Sequence, residues 1–289
     1  MTSPAGAATV GRLLDEAHRR LDAAHLPNPA REAVALVAIA LGTDRGGVLA
    51  RKPDAMAPAV AERLEALVAA RERRVPLQYL AGTVEFCGLA LAVGPGALIP
   101  RPETEGLVEA VLSLPLPADA RLTDLGTGSG CIAAALATAR PGWTVTAVDV
   151  SPEALAIAAT NVARLGLGAR IRLVERDFAV VPDPERGLHD AVVSNPPYVP
   201  SSEWESLEPE VREHEPRGAL VPGPAGDEAY AAVARAAASL LKPGGWLAFE
   251  LGWKSAPAAS RAAVAAGFGG IDIRHDLRGI PRILVARVS

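Results

Sequence analysis

The sequence predicts an α/β protein, a largely parallel sheet with helices on both faces, preceded by a small helical bundle. Three observations carry this reading. From Arg121 onward, short apolar runs of strand length alternate with longer runs of helical period, the mark of a parallel sheet whose crossovers are helices. A glycine-rich turn, Gly126-Thr127-Gly128-Ser129-Gly130, follows the first of these strands, at the sheet edge where such folds bind ligands. Between Val10 and Arg74, by contrast, apolar residues recur only at helical spacing.

Taken in order, Val10, Leu13, Leu14, Ala17 and Leu21 form one face of a first helix, with Arg12, Asp15, Glu16 and Arg19 on the other. Pro29 opens a second helix that Gly42 ends, and Pro58 opens a third that runs to Arg74. Arg71, Arg73 and Arg74 read as a solvated helix end that the macrodipole favours. The period then changes. Thr83–Cys87 and Leu89–Val93, split by Gly88, predict a β-hairpin serving as a linker. Residues 1–75 are thus expected to be a helical domain, either a substrate-docking module or a lid, 76–95 the hairpin linker and 96–289 the α/β domain. Pro102 opens a helix with Glu103 and Glu105 in its first turn, where the dipole favours acids, and Arg101 just before it is expected at the mouth of the site.

Within the α/β part, strands are expected at Arg121–Leu125, Thr144–Val148, Arg170–Glu175, Asp190–Ser194 and Trp246–Leu251, with two more near Ile271–Arg274 and Ile283–Arg287. Helices follow at Cys131–Ala139, from Ser151 to about Leu165, and at Ala229–Leu241, where Lys242-Pro243-Gly244-Gly245 reads as a turn.

Composition narrows the function classes. Hydrophobic residues make up 49% and charged residues 21% of the 289, the balance of a globular protein. A net charge of −4 offers no basic field for stable binding of nucleic acid. No apolar run approaches the length of a membrane span and no secretory signal is recognisable, so a cytoplasmic protein without membrane association is expected. Cys87 and Cys131 are read as reduced, packed thiols, and the five scattered histidines suggest no metal site.

Two clusters carry chemistry. The glycines after the first strand let a ligand approach backbone that a Cβ would block, but the spacing is G-x-G-x-G, with Cys131 where a dinucleotide motif needs its third glycine, and no Lys-Ser/Thr pair follows for a triphosphate. Asp149 ends the second strand, placed to accept from two ribose hydroxyls. Asp124 is placed to hold an amino group, and Phe178 to stack on an adenine whose amine meets Asp177. A nucleoside with an amino-acid tail satisfies all four, and S-adenosylmethionine is that molecule. The second cluster, Asn195-Pro196-Pro197-Tyr198, stops an apolar strand. Each proline fixes its own φ and holds the preceding residue extended. The Asn195 side-chain oxygen and the Pro196 carbonyl are then fixed acceptors for a planar NH2 group, covered by Tyr198.

Asp124-Leu125-Gly126-Thr127-Gly128-Ser129-Gly130-Cys131-Ile132 with Ser194-Asn195-Pro196-Pro197-Tyr198 resembles the HemK-type glutamine N5-methyltransferases that modify peptide chain release factors. Pro76-Leu77-Gln78-Tyr79 and Ile99–Glu105 match the same family, the latter more than the sister group acting on a ribosomal protein. The resemblance implies a class I (Rossmann-like) methyltransferase sheet. It implies S-adenosylmethionine as methyl donor, with S-adenosylhomocysteine as product, bound by Asp124, Gly126, Thr127, Gly128, Ser129, Gly130, Asp149, Asp177, Phe178 and Asn195. It further implies catalysis by Asn195, Pro196 and Tyr198, and substrate binding by those residues with Pro197 and Arg101. The implied substrate is the glutamine of a Gly-Gly-Gln loop in release factors, and a monomer is expected. The chain departs from the family pattern at Pro222–Glu228, at Lys254 and at Ile280-Pro281. An adenine-N6 DNA or RNA methyltransferase, which would flip its base into the same turn, and a binding module that has lost catalysis are the alternatives from other classes.

Overall fold

The structure, a computed structural model, describes residues 8–180 and 185–288. The described chain divides into two compact units, one reaching to Gly82 and including Pro209–His214, the other holding Thr83–Glu208 and the chain from Glu215 onward.

The smaller unit is helical: α1 (Val10–Ala23), α2 (Pro29–Leu41), α3 (Arg45–Ala50), α4 (Pro58–Glu72) and α5 (Leu77–Ala81). Thr9 caps α1 by accepting from the Arg12 N–H, and prolines open α2 and α4. Leu21, Leu36, Val37 and Val48 are fully buried between the helices, each such side chain stabilising by roughly 1.5–3 kcal/mol. The expectation of a solvated arginine end fails at Arg71. Its side chain is 3% exposed and paired with Glu32 and with Glu210, the latter from the 209–214 segment of this unit. A guanidinium fork satisfied by two carboxylates is what permits that burial. Arg74 takes a positive φ and donates to the carbonyls of Ala24 and His25.

The larger unit holds β1 (Thr83–Phe86) and β2 (Leu89–Ala92), α6 (Pro102–Leu112), β3 (Arg121–Leu125), α7 (Cys131–Ala139), β4 (Thr144–Asp149), α8 (Pro152–Arg164), β5 (Ile171–Glu175) and β6 (His189–Ser194). After α9 (Pro209–His214), which belongs to the smaller unit, come α10 (Glu228–Leu240), β7 (Leu241–Glu250), α11 (Ala256–Ala265), β8 (Phe268–His275) and β9 (Pro281–Val288). The seven-stranded sheet runs β5-β4-β3-β6-β7-β9-β8. Strands β3 to β7 are mutually parallel, and β9 is inserted antiparallel between β7 and β8. That inversion, not read from the sequence, follows from the short connection from β8, which permits only an antiparallel return.

Two further departures have local causes. The β1–β2 pair is not a free linker, since Phe86 and Leu91 are buried in the same core as α6 and α7, while Leu77–Ala81, expected as part of that linker, is helical and lies in the smaller unit. The Lys242–Gly245 turn interrupts nothing: His189 pairs with Leu241 and Ala191 with Trp246, so the four residues bulge out of a continuous β7.

Strand alternation divides the core. Val193 and Ala248 face α6 and α7, whereas Val192, Leu247 and Phe249 face α10 and α11. The strand order reverses between β3 and β6, leaving a crevice beyond their carboxyl ends. Among the described residues no helix is long and apolar enough to cross a membrane, and no cluster of metal-ligating side chains is found.

Candidate active site

The crevice is a pocket lined on one side by Gly126, Thr127, Gly128 and Asp149, and on the other by Arg101, Thr104, Asn195 and Pro197, with Phe178 also in its wall. All of these belong to the larger unit.

The glycine turn grows directly out of β3. The N–H groups of Gly126 and Thr127 both bond the Val148 carbonyl of β4, and Gly126 and Gly128 take φ of +72° and +55° with no atom within 4 Å of where a Cβ would stand. That open cradle fits a ligand approaching the backbone. The Asp149 carboxylate is held rigidly by the Gly128 N–H at 2.8 Å and the Ser151 N–H at 2.9 Å, and it lines the pocket. Asn161 of α8 donates to the Ser129 carbonyl and to the Ala92 carbonyl, pinning the turn from behind.

Asp124 is placed differently from expectation. It is fully buried beneath the turn rather than in the pocket wall; one carboxyl oxygen accepts from the Thr127 hydroxyl at 2.6 Å, and Oδ1 has no partner. Burial pushes its pKa up to about 7. A buried carboxylate oxygen without a partner fits a site completed by a cationic ligand group. Gly130 and Asp177 also lie outside the lining, and Asp177 Oδ1 accepts from the Ala179 N–H. Cys131 opens α7, buried, its thiol pushed up to about 12 by burial. These features fit S-adenosylmethionine, with Asp149 for the ribose, the glycine turn for the amino-acid end and Phe178 for the base.

On the opposite side, Ser194 ends β6 and its hydroxyl donates to the Leu125 carbonyl, fixing the strand end from which Asn195 projects. Asn195 Nδ2 donates to Thr104 Oγ1 at 3.1 Å, in the first turn of α6, and Thr104 in turn donates to Glu250 Oε2 at 2.6 Å. The Tyr198 hydroxyl donates to Glu250 Oε1 at 3.3 Å. Pro196 is buried. Tyr198 does not line the pocket but packs over Gly252, where a Cβ would stand 2.7 Å from its ring. Burial raises the Tyr198 hydroxyl above its ordinary value. Arg101 sits at the pocket wall, paired with the buried Glu215, which also accepts from the Ile99 N–H.

Thr104, Glu250 and Glu215 were not picked out from sequence as site residues. For Glu250 a signal existed: it is the only charged residue in the apolar run Trp246–Leu251, and a lone carboxylate on a buried strand needs partners. The departing segment Pro222–Glu228 packs beside this turn, with Gly226 at φ +81° against Pro200 and the Gly223 carbonyl accepting from Ser201 N–H.

Two family models match the chain, the PrmC N-terminal domain over residues 12–82 and the methyltransferase small domain over 104–207. Proteins named release factor glutamine methyltransferase are similar over nearly the whole chain. That of Cereibacter sphaeroides is 43% identical over 93% of this chain and 95% of its own, and that of Moorella thermoacetica 44% identical over 96% and 98%. The chain belongs to the release factor glutamine methyltransferase family. A relative from Mycolicibacterium smegmatis is 42% identical over 94% of this chain and 95% of its own. Among solved structures, a methyltransferase from Pyrococcus furiosus superposes with a TM-score of 0.51 at 20% identity, over 69% of this chain and 89% of its own, a likeness of fold.

Proposed function

We propose that this chain transfers a methyl group from S-adenosylmethionine to the side-chain amide nitrogen (N5) of a glutamine in peptide chain release factors, the glutamine of the Gly-Gly-Gln loop. The observation that carries this reading is Asn195. Its side chain opens into the pocket opposite the glycine turn, and its Nδ2 is engaged by Thr104, which leaves Oδ1 as the free end.

An amide nitrogen is a poor nucleophile because its lone pair is delocalised into the carbonyl. S-adenosylmethionine, when bound, supplies an electrophilic methyl group. Asn195 Oδ1 and the Pro196 carbonyl accept the two N–H bonds of the glutamine amide, orient the nitrogen and meet the positive charge that builds on it. The two prolines keep these acceptors from relaxing away. Tyr198 walls the turn from behind, and the amide proton is released to water after transfer. Release factors, as protein substrates, reach the pocket in the cytoplasm, and a net charge of −4 offers no field for stable nucleic-acid binding.

The test is incubation of the purified chain with methyl-labelled S-adenosylmethionine and a recombinant release factor or its Gln→Ala variant. Label in the former alone supports the reading. Label entering DNA or RNA instead transfers the site to exocyclic amines, and label entering a ribosomal protein moves it to the sister activity.

A further inference from the structure

We propose that Thr104 and Glu250 form a positioning relay that decides which end of the Asn195 amide faces the substrate. The inference rests on the preceding reading that Asn195 holds a glutamine amide, and adds two residues to it.

The relay follows from the counting of protons. Burial raises the Glu250 carboxyl above its ordinary value, but the Thr104 and Tyr198 hydroxyls both donate to it and oppose that shift, holding it as an acceptor, and the Thr104 hydroxyl has a single proton. At 2.6 Å, that proton lies on the bond to Glu250 Oε2. Thr104 Oγ1 can therefore offer Asn195 only a lone pair, so the atom of Asn195 that meets it, at 3.1 Å, must be the donor Nδ2. Oδ1 is then the end turned to the pocket, the polarity that an incoming NH2 group requires. With the reverse polarity, two NH2 groups would face each other and the acceptor would be lost.

The fold places the three residues together for reasons visible in the register. Ser194 pairs with Phe249 in parallel strands, so Asn195 and Glu250 leave neighbouring strand ends side by side. Glu250 lies two residues beyond Ala248 and so shares its face, the face covered by α6. Thr104 stands in the first turn of α6. Glu250 is 2% exposed and Thr104 2%, so water does not compete for the bond between them. The second carboxylate oxygen takes the Tyr198 hydroxyl, which stops the carboxylate from rotating.

Glu250→Gln can present its own NH2 to Thr104. The hydroxyl is then free to donate to Asn195 Oδ1, and Nδ2 swings to the pocket. Thr104→Val removes the middle of the relay at nearly constant shape, whereas Thr104→Ser keeps the hydroxyl. The experiment compares the wild type with all three variants by methyl transfer to release-factor glutamine, by S-adenosylmethionine affinity in calorimetry, and by thermal unfolding. Expected are kcat losses of about 100-fold in Glu250→Gln and Thr104→Val, the size of one lost transition-state hydrogen bond, with cofactor affinity unchanged, and recovery of most of kcat in Thr104→Ser relative to Thr104→Val. A Glu250→Gln chain that turns over like wild type, or a Thr104→Ser chain as slow as Thr104→Val, would overturn the relay. Should Glu250→Gln unfold, the Val and Ser pair at Thr104 decides alone. A second readout separates this inference from the reaction itself: the Asn195 side-chain NH2 signal, assigned by its loss in Asn195→Asp, should exchange slowly with solvent in the wild type and rapidly in Thr104→Val. Failure of the wild type to methylate any glutamine would strike the proposed function, while the exchange measurement would still judge the relay.

Discussion

The two walls of the pocket solve opposite problems. The glycine turn is held by backbone bonds to Val148 and by the Asp149 and Asn161 side chains, and it leaves Asp124 Oδ1 buried with no partner. The Asn195 turn is held by side chains, and there Asn195, Thr104, Tyr198 and Glu250 all have partners before any substrate arrives. An incomplete wall gains most when a charged ligand completes it, whereas a complete one contributes orientation. Affinity for the cofactor should therefore reside in the first wall and turnover in the second.

The sharpest way to break that division is Asn195→Ala. It should lower kcat by about 10²–10³ or more, as loss of a preorganised transition-state contact does, while calorimetry finds cofactor affinity little changed. A large loss of cofactor binding with it would mean that the two walls are not separable.

Asp124→Asn tests the support beneath the other wall. Cofactor affinity should fall by about 10–100-fold, the 1.5–3 kcal/mol of a hydrogen bond to a charged group, with kcat at saturation less affected. The same variant has a signature without ligand. Because the folded pKa is raised from 3.8 to about 7, the folded state binds the extra proton. The stabilisation from Asp124 is fully present below pH 3.8 and is lost as pH rises through about 7. Replacement by Asn should flatten the decline in melting temperature across that window, and an unchanged slope would remove Asp124 as its source.

What the sequence disclosed follows the same division. Gly126, Gly128, Asp149 and Asn195 were legible because each stands at the end of a strand whose apolar run marks its position, and the ligand edge of a parallel sheet is fixed by topology. Phe178 was legible by the same route. Asp124 was found but its depth was not, since burial beneath a turn is set by how tightly the turn closes. Thr104 and Glu250 lie 91 and 55 positions from Asn195, and only the β6–β7 register and the seating of α6 join them. The burial of Arg71 was hidden for the same reason, as it depends on partners remote in sequence. The departing segment Pro222–Glu228 looked like a defect in the family pattern, yet its Gly226 has a steric reason to be glycine.

That reason makes a smaller prediction. Gly226 has a φ of +81°, and a Cβ there would lie 2.7 Å from the Pro200 nitrogen. Gly226→Ala should cost about 1–2 kcal/mol for the left-handed backbone alone, lowering the melting temperature by about 2–4 °C per kcal/mol. Since Pro200 closes the turn that begins at Asn195, KM for the release factor should rise with it. A neutral variant would free this segment from any part in shaping the site.

The smallest effect is expected at Tyr198→Phe, and it separates the ring from the hydroxyl. The ring packs on Gly252 and should stay, because Phe has the same shape. The hydroxyl makes one long bond, 3.3 Å, to Glu250 Oε1. Glu250 remains tied to Thr104 through its other oxygen at 2.6 Å, so the polarity of Asn195 is preserved. A single weak hydrogen bond of about 0.5–1 kcal/mol corresponds to a two- to fivefold loss in kcat, measured with the same release-factor substrate. A loss as large as that of Glu250→Gln would place the Tyr198 hydroxyl at the centre of the network and demote Thr104 to a bystander. A loss within this range keeps the orienting role on the α6 side of the pocket.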